Sequence, residues 1–142
     1  MSQTYFSIKT ERLDQKYLTG LLNSNLIAFW LKYKGKMQGD LYQVDKEPLL
    51  NLPIVKPTNE TQNKISEFVS EIIENKQKQY DYGNLLVKTK TENNFEREIQ
   101  LSKELESISK SIEIAENEIN ELVYTIYDLT ESEIAEIEKN IN

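Results

Sequence analysis

The 142-residue chain has no cysteine and no histidine. Their absence excludes disulfides, thiolate chemistry, ordinary zinc sites and histidine acid–base catalysis together. Absence of cysteine also fits a cytoplasmic protein, which is the expected location. Glycine is scarce at four residues and proline at three. Only Gly35 and Gly39 lie close together, and no Gly-rich phosphate loop or Walker-type lysine can be assembled from the chain. No apolar run approaches the roughly 18–20 residues of a membrane span, and the N-terminus lacks a signal-peptide pattern, so no membrane partner is expected. Hydrophobic residues make up 38% and charged residues 29%. That balance suits a modest core with an elongated helical part.

The net charge of −7 conceals an asymmetry. Residues 1–60 carry eight basic against six acidic side chains (+2), and the remainder nine against eighteen (−9). The first part is therefore the candidate contact surface for a polyanion, and a mildly basic one. Carboxylates crowd the second part, among them Glu116, Glu118, Glu121, Glu131, Glu133, Glu136 and Glu138. They fall on helix surfaces without a pocket or base to perturb them, as a solvated face requires.

Residues 4–8, Thr-Tyr-Phe-Ser-Ile, are β-prone, and so abrupt a start predicts a piece of a longer chain. From Asp14 as cap, Leu18, Leu21, Leu22, Leu26, Phe29 and Trp30 recur at three- and four-residue steps, predicting one helix to about Lys32 or Tyr33. Gly35 and Gly39 bracket a loop, and Leu41 to Val44 is expected to pair with the first strand. Pro48 opens a short helix through Leu52, and Pro53 and Pro57 make the next segment extended. Asn59 with Gln62 reads as a cap for a helix carrying Ile65, Phe68, Val69, Ile72 and Ile73, with a break at Asp81-Tyr82-Gly83-Asn84. From about Phe95, Leu101, Leu105, Ile108, Ile112, Ala115, Ile119, Leu122 and Ile126 form a heptad seam. The seam fits an antiparallel hairpin with the preceding helix, or an intermolecular coiled coil through Ile112 and Ile119. Thr130-Glu131-Ser132-Glu133 is a capping box for a last helix edged by Ile134, Ile137 and Ile141.

Together these features predict a helix-rich α+β fold. A small antiparallel sheet packs on a helix, followed by a long coiled-coil-like hairpin and a short C-terminal helix. Residues 1–57 and 58–142 are the two expected parts. The chemistry-bearing candidates sit in the first. Lys32, Lys34 and Lys36, interleaved with Tyr33 and Gly35, supply salt-dependent phosphate contacts. Gln38, Tyr42 and Gln43 are the candidates for a DNA groove, since glutamine can pair bidentately with adenine.

Several blocks resemble a known family. Tyr17-Leu18-Thr19-Gly20-Leu21-Leu22-Asn23-Ser24-Asn25-Leu26-Ile27 resembles a "YLLALLNSKLI" helix. Leu50-Asn51-Leu52-Pro53-Ile54 is similar to "LEQLPIP", and Gln62-Asn63-Lys64-Ile65 to a "Q-x-x-I" helix start. Residues 119–134 look like "IDxLVYxLYGLTEEEI", with Asp128 where glycine is usual. These elements resemble the TaqI-like C-terminal specificity domain of type II adenine-specific DNA methyltransferases and of bifunctional restriction–modification enzymes. The resemblance implies a DNA target-recognition portion that binds double-stranded DNA and adjoins a methyltransferase domain of the same parent. That parent would use S-adenosylmethionine to methylate a flipped adenine, with or without a fused nuclease. The family's Asn-Pro-Pro-Tyr/Phe tetrapeptide is absent from this chain, so no catalytic residue and no cofactor are assigned to it. The rival reading is a helical protein-interaction or self-associating module, including a piece like a type I specificity subunit.

Overall fold

The computed structural model describes residues 7–34, 36–38, 41–43 and 46–141, with residues 36–38, 41–43 and 46 described through their backbone. Among the described residues six helices run in chain order: α1 (Gln15–Leu22), α2 (Asn25–Lys34), α3 (Lys46–Leu50), α4 (Asn59–Thr91), α5 (Phe95–Ile126) and α6 (Glu131–Ile141). Two three-residue strands, β1 (Lys36–Gln38) and β2 (Leu41–Gln43), form a hairpin between α2 and α3.

The expected α+β class is therefore corrected: the fold is helical. Among the described residues β1 and β2 pair only with each other, and a two-stranded ribbon of this size cannot form a layer of the core. The strand expected at residues 4–8 is not there at Ser7 and Ile8, which have no regular structure, while residues 4–6 lie outside the described residues. Val44, expected at the end of the second strand, also lies outside them. The strand at 41–43 exists, but its mate is β1, at residues 36–38. A local ribbon closes at far lower loop entropy than a pairing across more than thirty residues.

The frame is the α4–α5 hairpin, turned by Glu92, Asn93 and Asn94. Asn93 takes φ 54° at the turn, a left-handed conformation that asparagine tolerates. Asn94 caps α5 by accepting from Arg97 N at 3.1 Å. The expected break at 81–84 does not occur, because α4 continues through Gly83 to Thr91. Its cap is Thr58, one residue before the expected Asn59, with Thr58 Oγ1 accepting from Thr61 N at 3.2 Å. The heptad seam of α5 turns towards α4, burying Leu101, Ile112, Ala115 and Ile119.

α1 lies across the end of the hairpin nearest the α4 N-terminus. One core joins Tyr17, Leu21, Ile27 and Leu52 to Ile65, Val69, Ile119 and Val123. Gly20 makes the close approach possible. A Cβ there would sit 2.8 Å from Ile65 Cγ2 and 2.9 Å from Val69 Cγ2. α6 packs on α2, with Ile137 buried, after the expected capping box. Thr130 N donates to Glu133 Oε2 at 2.7 Å, and Glu133 N donates back to Thr130 Oγ1 at 3.3 Å. The capped Glu133 carboxyl is held below the usual carboxylate range by those Thr130 donors.

Between α5 and α6 the chain makes a Schellman turn. Asp128 N donates to Thr125 O and Leu129 N to Tyr124 O, each at 3.1 Å. Asp128 takes φ 51° there, the conformation that explains why glycine would be favoured. We expect Asp128→Gly to stabilise the fold by about 1 kcal/mol in denaturant unfolding, since an L residue in this region costs roughly that much. An unchanged or lower midpoint would show that the Asp128 side chain stabilises the turn in some other way.

Candidate nucleic-acid interface

The expected single helix from Asp14 to Tyr33 is in fact two helices, and the break aims the basic segment. Asp14 Oδ1 accepts from Tyr17 N at 3.0 Å and from the Ser66 hydroxyl at 2.7 Å, so it caps α1 and pins it to α4. Those two donors, Ser66 first, hold the Asp14 carboxyl below its usual range. At the other end, Asn23 closes α1 by donating backbone N–H to Thr19 O at 3.2 Å. Ser24 is buried and donates its hydroxyl to Leu21 O at 2.6 Å. The next backbone donor, Asn25 N, is taken by Asn120 Oδ1 of α5 at 2.8 Å. Asn23 and Ser24 thus satisfy carbonyls at the end of α1, while Asn120 takes the first donor of α2 at the same corner. The apolar periodicity ran through this corner unbroken, so only the two polar letters signalled it.

α2 leads outwards to the candidate residues. Lys32 and Lys34 occupy its last turn, where cations complement the helix dipole. They are not equivalent. Lys32 Nζ donates to Asn140 O at 2.7 Å, tying α2 to the C-terminal end of α6. Tyr33 and Asn140 also share a hydrogen bond, between Tyr33 Oη and Asn140 Oδ1 at 3.2 Å, and the Tyr33 ring lies 4.7 Å from that of Phe29. Lys34 is exposed at the end of α2. Lys36 and Gln38 stand on β1, and Tyr42 and Gln43 on β2. The register sets Lys36 opposite Gln43, Met37 opposite Tyr42, and Gln38 opposite Leu41. Of the six candidates, the ribbon thus brings Lys36 and Gln43 into one pair, with Gln38 two positions along the same strand.

Two tyrosines missed as site residues brace the chain behind the ribbon. Tyr17 is fully buried and donates its hydroxyl to Val55 O at 2.9 Å. Tyr127 donates to Pro53 O at 2.6 Å and accepts from Val55 N at 3.4 Å. Burial, and then the neighbouring Tyr127, push the Tyr17 phenol up to about 12. Leu52 is buried beside them. The extended Leu52–Val55 segment is thereby fastened to α1 and α5, which fixes where the ribbon and α3 return to the core. Both tyrosines lie in the blocks that carried the family resemblance, but nothing in their spacing announced a shared partner.

The arrangement places Lys34 at the end of α2 and Lys36, Gln38, Tyr42 and Gln43 on the ribbon that follows. Among the described residues no cluster of acidic side chains is placed to hold a metal ion, and no helix is long and apolar enough to cross a membrane.

Comparison with known proteins gives a distant relation to type II methyltransferases. Over 68 residues, 44% of this chain, the sequence is 29% identical to the type II methyltransferase M.HincII of Haemophilus influenzae, covering 14% of that protein. The same length is 29% identical to the type II methyltransferase M.HindII of Haemophilus influenzae strain Rd, covering 13% of it. The matched region is thus about one-seventh of the length of these relatives. No protein-family model matches the chain, and no solved structure matches it. The similarity indicates a restriction–modification relation.

Proposed function

We propose that this chain is a DNA target-recognition portion of a restriction–modification adenine methyltransferase, of the TaqI-like specificity type, without catalytic residues of its own. The observation that carries the reading is the similarity to two type II methyltransferases in a chain whose basic residues end a braced helix, with Lys34 exposed there, and continue in sequence onto a β-ribbon. A two-stranded ribbon is one of the elements that the DNA major groove admits. Residues 1–57 present that surface, and residues 58–142 form the helical support. Lys34 and Lys36 hold phosphates, and Gln38, Tyr42 and Gln43 approach the groove. Lys32 acts through its bond to Asn140, setting the angle of α2. Double-stranded DNA is the partner, together with the methyltransferase domain of the same parent. Methyl transfer from S-adenosylmethionine belongs to that other domain, since this chain has no Asn-Pro-Pro-Tyr tetrapeptide.

The test is the salt dependence of duplex binding, followed by fluorescence anisotropy at low ionic strength. Replacing Lys34 and Lys36 together by alanine is expected to lower the slope of log affinity against log salt by about 2, since each phosphate left without its lysine removes roughly 0.9. An unchanged slope with unchanged affinity would remove this surface from DNA binding.

A further inference from the structure

The last turn of α2 is held by one residue from the far end of the chain. Lys32 Nζ donates to Asn140 O at 2.7 Å, and Tyr33 Oη donates to Asn140 Oδ1 at 3.2 Å. Asn140 lies in the last turn of α6, where backbone carbonyls have no partner within their own helix. Lys32 supplies that partner, and its ammonium group complements the negative ends of both helix dipoles. The Asn140 side chain is itself fixed. Its Nδ2 donates to Glu136 O at 2.7 Å and to Glu136 Oε1 at 3.0 Å, which leaves Oδ1 for Tyr33. The base of this grip is firm, because Ile137, one turn before Asn140, is buried and α6 packs along α2. α2 is tied to α5 at its start through Asn25 N and Asn120, and Trp30 and Leu31 pack against the core. Beyond Leu31 its partner is the end of α6.

We infer that Asn140 is a positioning residue for the DNA surface: through Tyr33 and Lys32 it sets the direction in which the chain leaves α2 towards Lys34 and the ribbon. The inference rests on the DNA reading above and gives the C-terminal helix, more than a hundred residues away in sequence, a part in it. Asn140 touches no DNA. It acts by raising the fraction of molecules whose α2 end is already aligned, and apparent affinity scales with that fraction. The role also reassigns Tyr33. Its hydroxyl is committed to α6 and its ring lies 4.7 Å from that of Phe29, so it serves the surface from behind.

The experiment is a double-mutant cycle on the full chain with Tyr33→Phe, Asn140→Ala and both together, read by anisotropy with a mixed-sequence DNA duplex at low salt. Each single variant should weaken binding by roughly two- to tenfold, the equivalent of one net hydrogen bond. The double variant should lose no more than the larger single loss, because both substitutions break the same contact. Neither removes a charge, so the slope of log affinity against log salt should stay that of the parent chain. The melting temperature should hold within about 4 °C, since Tyr33 is exposed and Asn140 half-buried. Without DNA, Asn140→Ala should lower the heteronuclear NOE of the Lys34 amide, the mark of a freed helix end. Additive losses, or a loss from Tyr33→Phe alone, would show Tyr33 contacting DNA directly and overturn the proposal. Binding that depends on Lys34 and Lys36 yet ignores Asn140→Ala, or an unchanged NOE, overturns it while leaving the DNA reading intact. No duplex binding by the parent chain removes the DNA reading and this inference together.

Discussion

Replacing Gly20 by leucine should separate α1 from the hairpin and cost about 3 kcal/mol or more of stability. The first added carbon alone would lie 2.8 Å from Ile65 and 2.9 Å from Val69, inside any tolerable approach. Both obstructing atoms are Cγ2 methyls of β-branched residues, whose χ1 angles are stiff within a helix. Neither can swing aside cheaply. Ile119 Cγ2 stands 3.7 Å away beyond them, so the first added carbon meets side chains of both α4 and α5. Gly20→Ala would separate the effects: it adds helix propensity worth about 1 kcal/mol against an overpacking cost of about 1–3 kcal/mol. A small net loss is expected there, and a melting-temperature drop of roughly 10 °C for leucine. Because α1 sets the corner from which α2 departs, the leucine variant should also lose the orientation of the basic segment. Unaltered thermal unfolding of Gly20→Leu would mean that α1 does not dock as described.

The second large effect belongs to Tyr17. Its ring is fully buried in the core, so Tyr17→Ala should cost about 3–5 kcal/mol. Tyr17→Phe keeps the ring and removes the bond to Val55 O, for a loss of about 1–2 kcal/mol. The hydroxyl also gives stability an alkaline limit. The folded state holds the phenol proton up to about 12, whereas an unfolded tyrosine releases it near 10. The neutral form is thus favoured by folding. The associated stability is fully present below pH 10 and declines as pH rises through the folded value, by about 2 kcal/mol at pH 12. Burial raises the Tyr127 phenol as well, adding to the same decline. Urea midpoints measured between neutral pH and pH 12 should therefore fall less for Tyr17→Phe than for the parent chain. Parallel profiles would detach the alkaline limit from this tyrosine.

What could be read from the sequence was whatever depends on neighbours in the chain. The Thr130–Glu133 capping box and the α5 seam rest on spacings of three or four residues, and the structure contains both; the short helix expected from Pro48 through Leu52 is instead Lys46–Leu50, starting two residues earlier. The misreadings arose where distant groups decide. Nothing local shows that Asn120, 95 residues away, would satisfy Asn25 N and let the helix stop at Asn23-Ser24. Conversely, Asp81-Tyr82-Gly83-Asn84 carries turn residues, yet packing along α5 holds α4 helical through them. A glycine in a helix costs only about 1 kcal/mol, less than the packing of the continued helix supplies. The α+β expectation failed for a related reason. It paired two β-prone stretches by composition, whereas β2 pairs with β1, its near neighbour in the chain.

At the candidate site the residue types were legible but their division of labour was not. Lys32, Lys34 and Lys36 read as one basic group, and only tertiary structure shows Lys32 bonded to the end of α6. The bracing of Pro53 and Val55 by Tyr17 and Tyr127 spans 38 and 74 residues, beyond the reach of any local pattern.

The central claim is that the end of α2 and the β-ribbon face DNA. Amide chemical shifts of the isotope-labelled chain, followed during titration with a short DNA duplex at low salt, test it most directly. Perturbations are expected to concentrate at Lys34, Lys36–Gln38 and Leu41–Gln43 and to fade as salt is raised, with the distal part of the α4–α5 hairpin silent. Saturable shifts confined to the hairpin, or none at any duplex concentration, would contradict the claim.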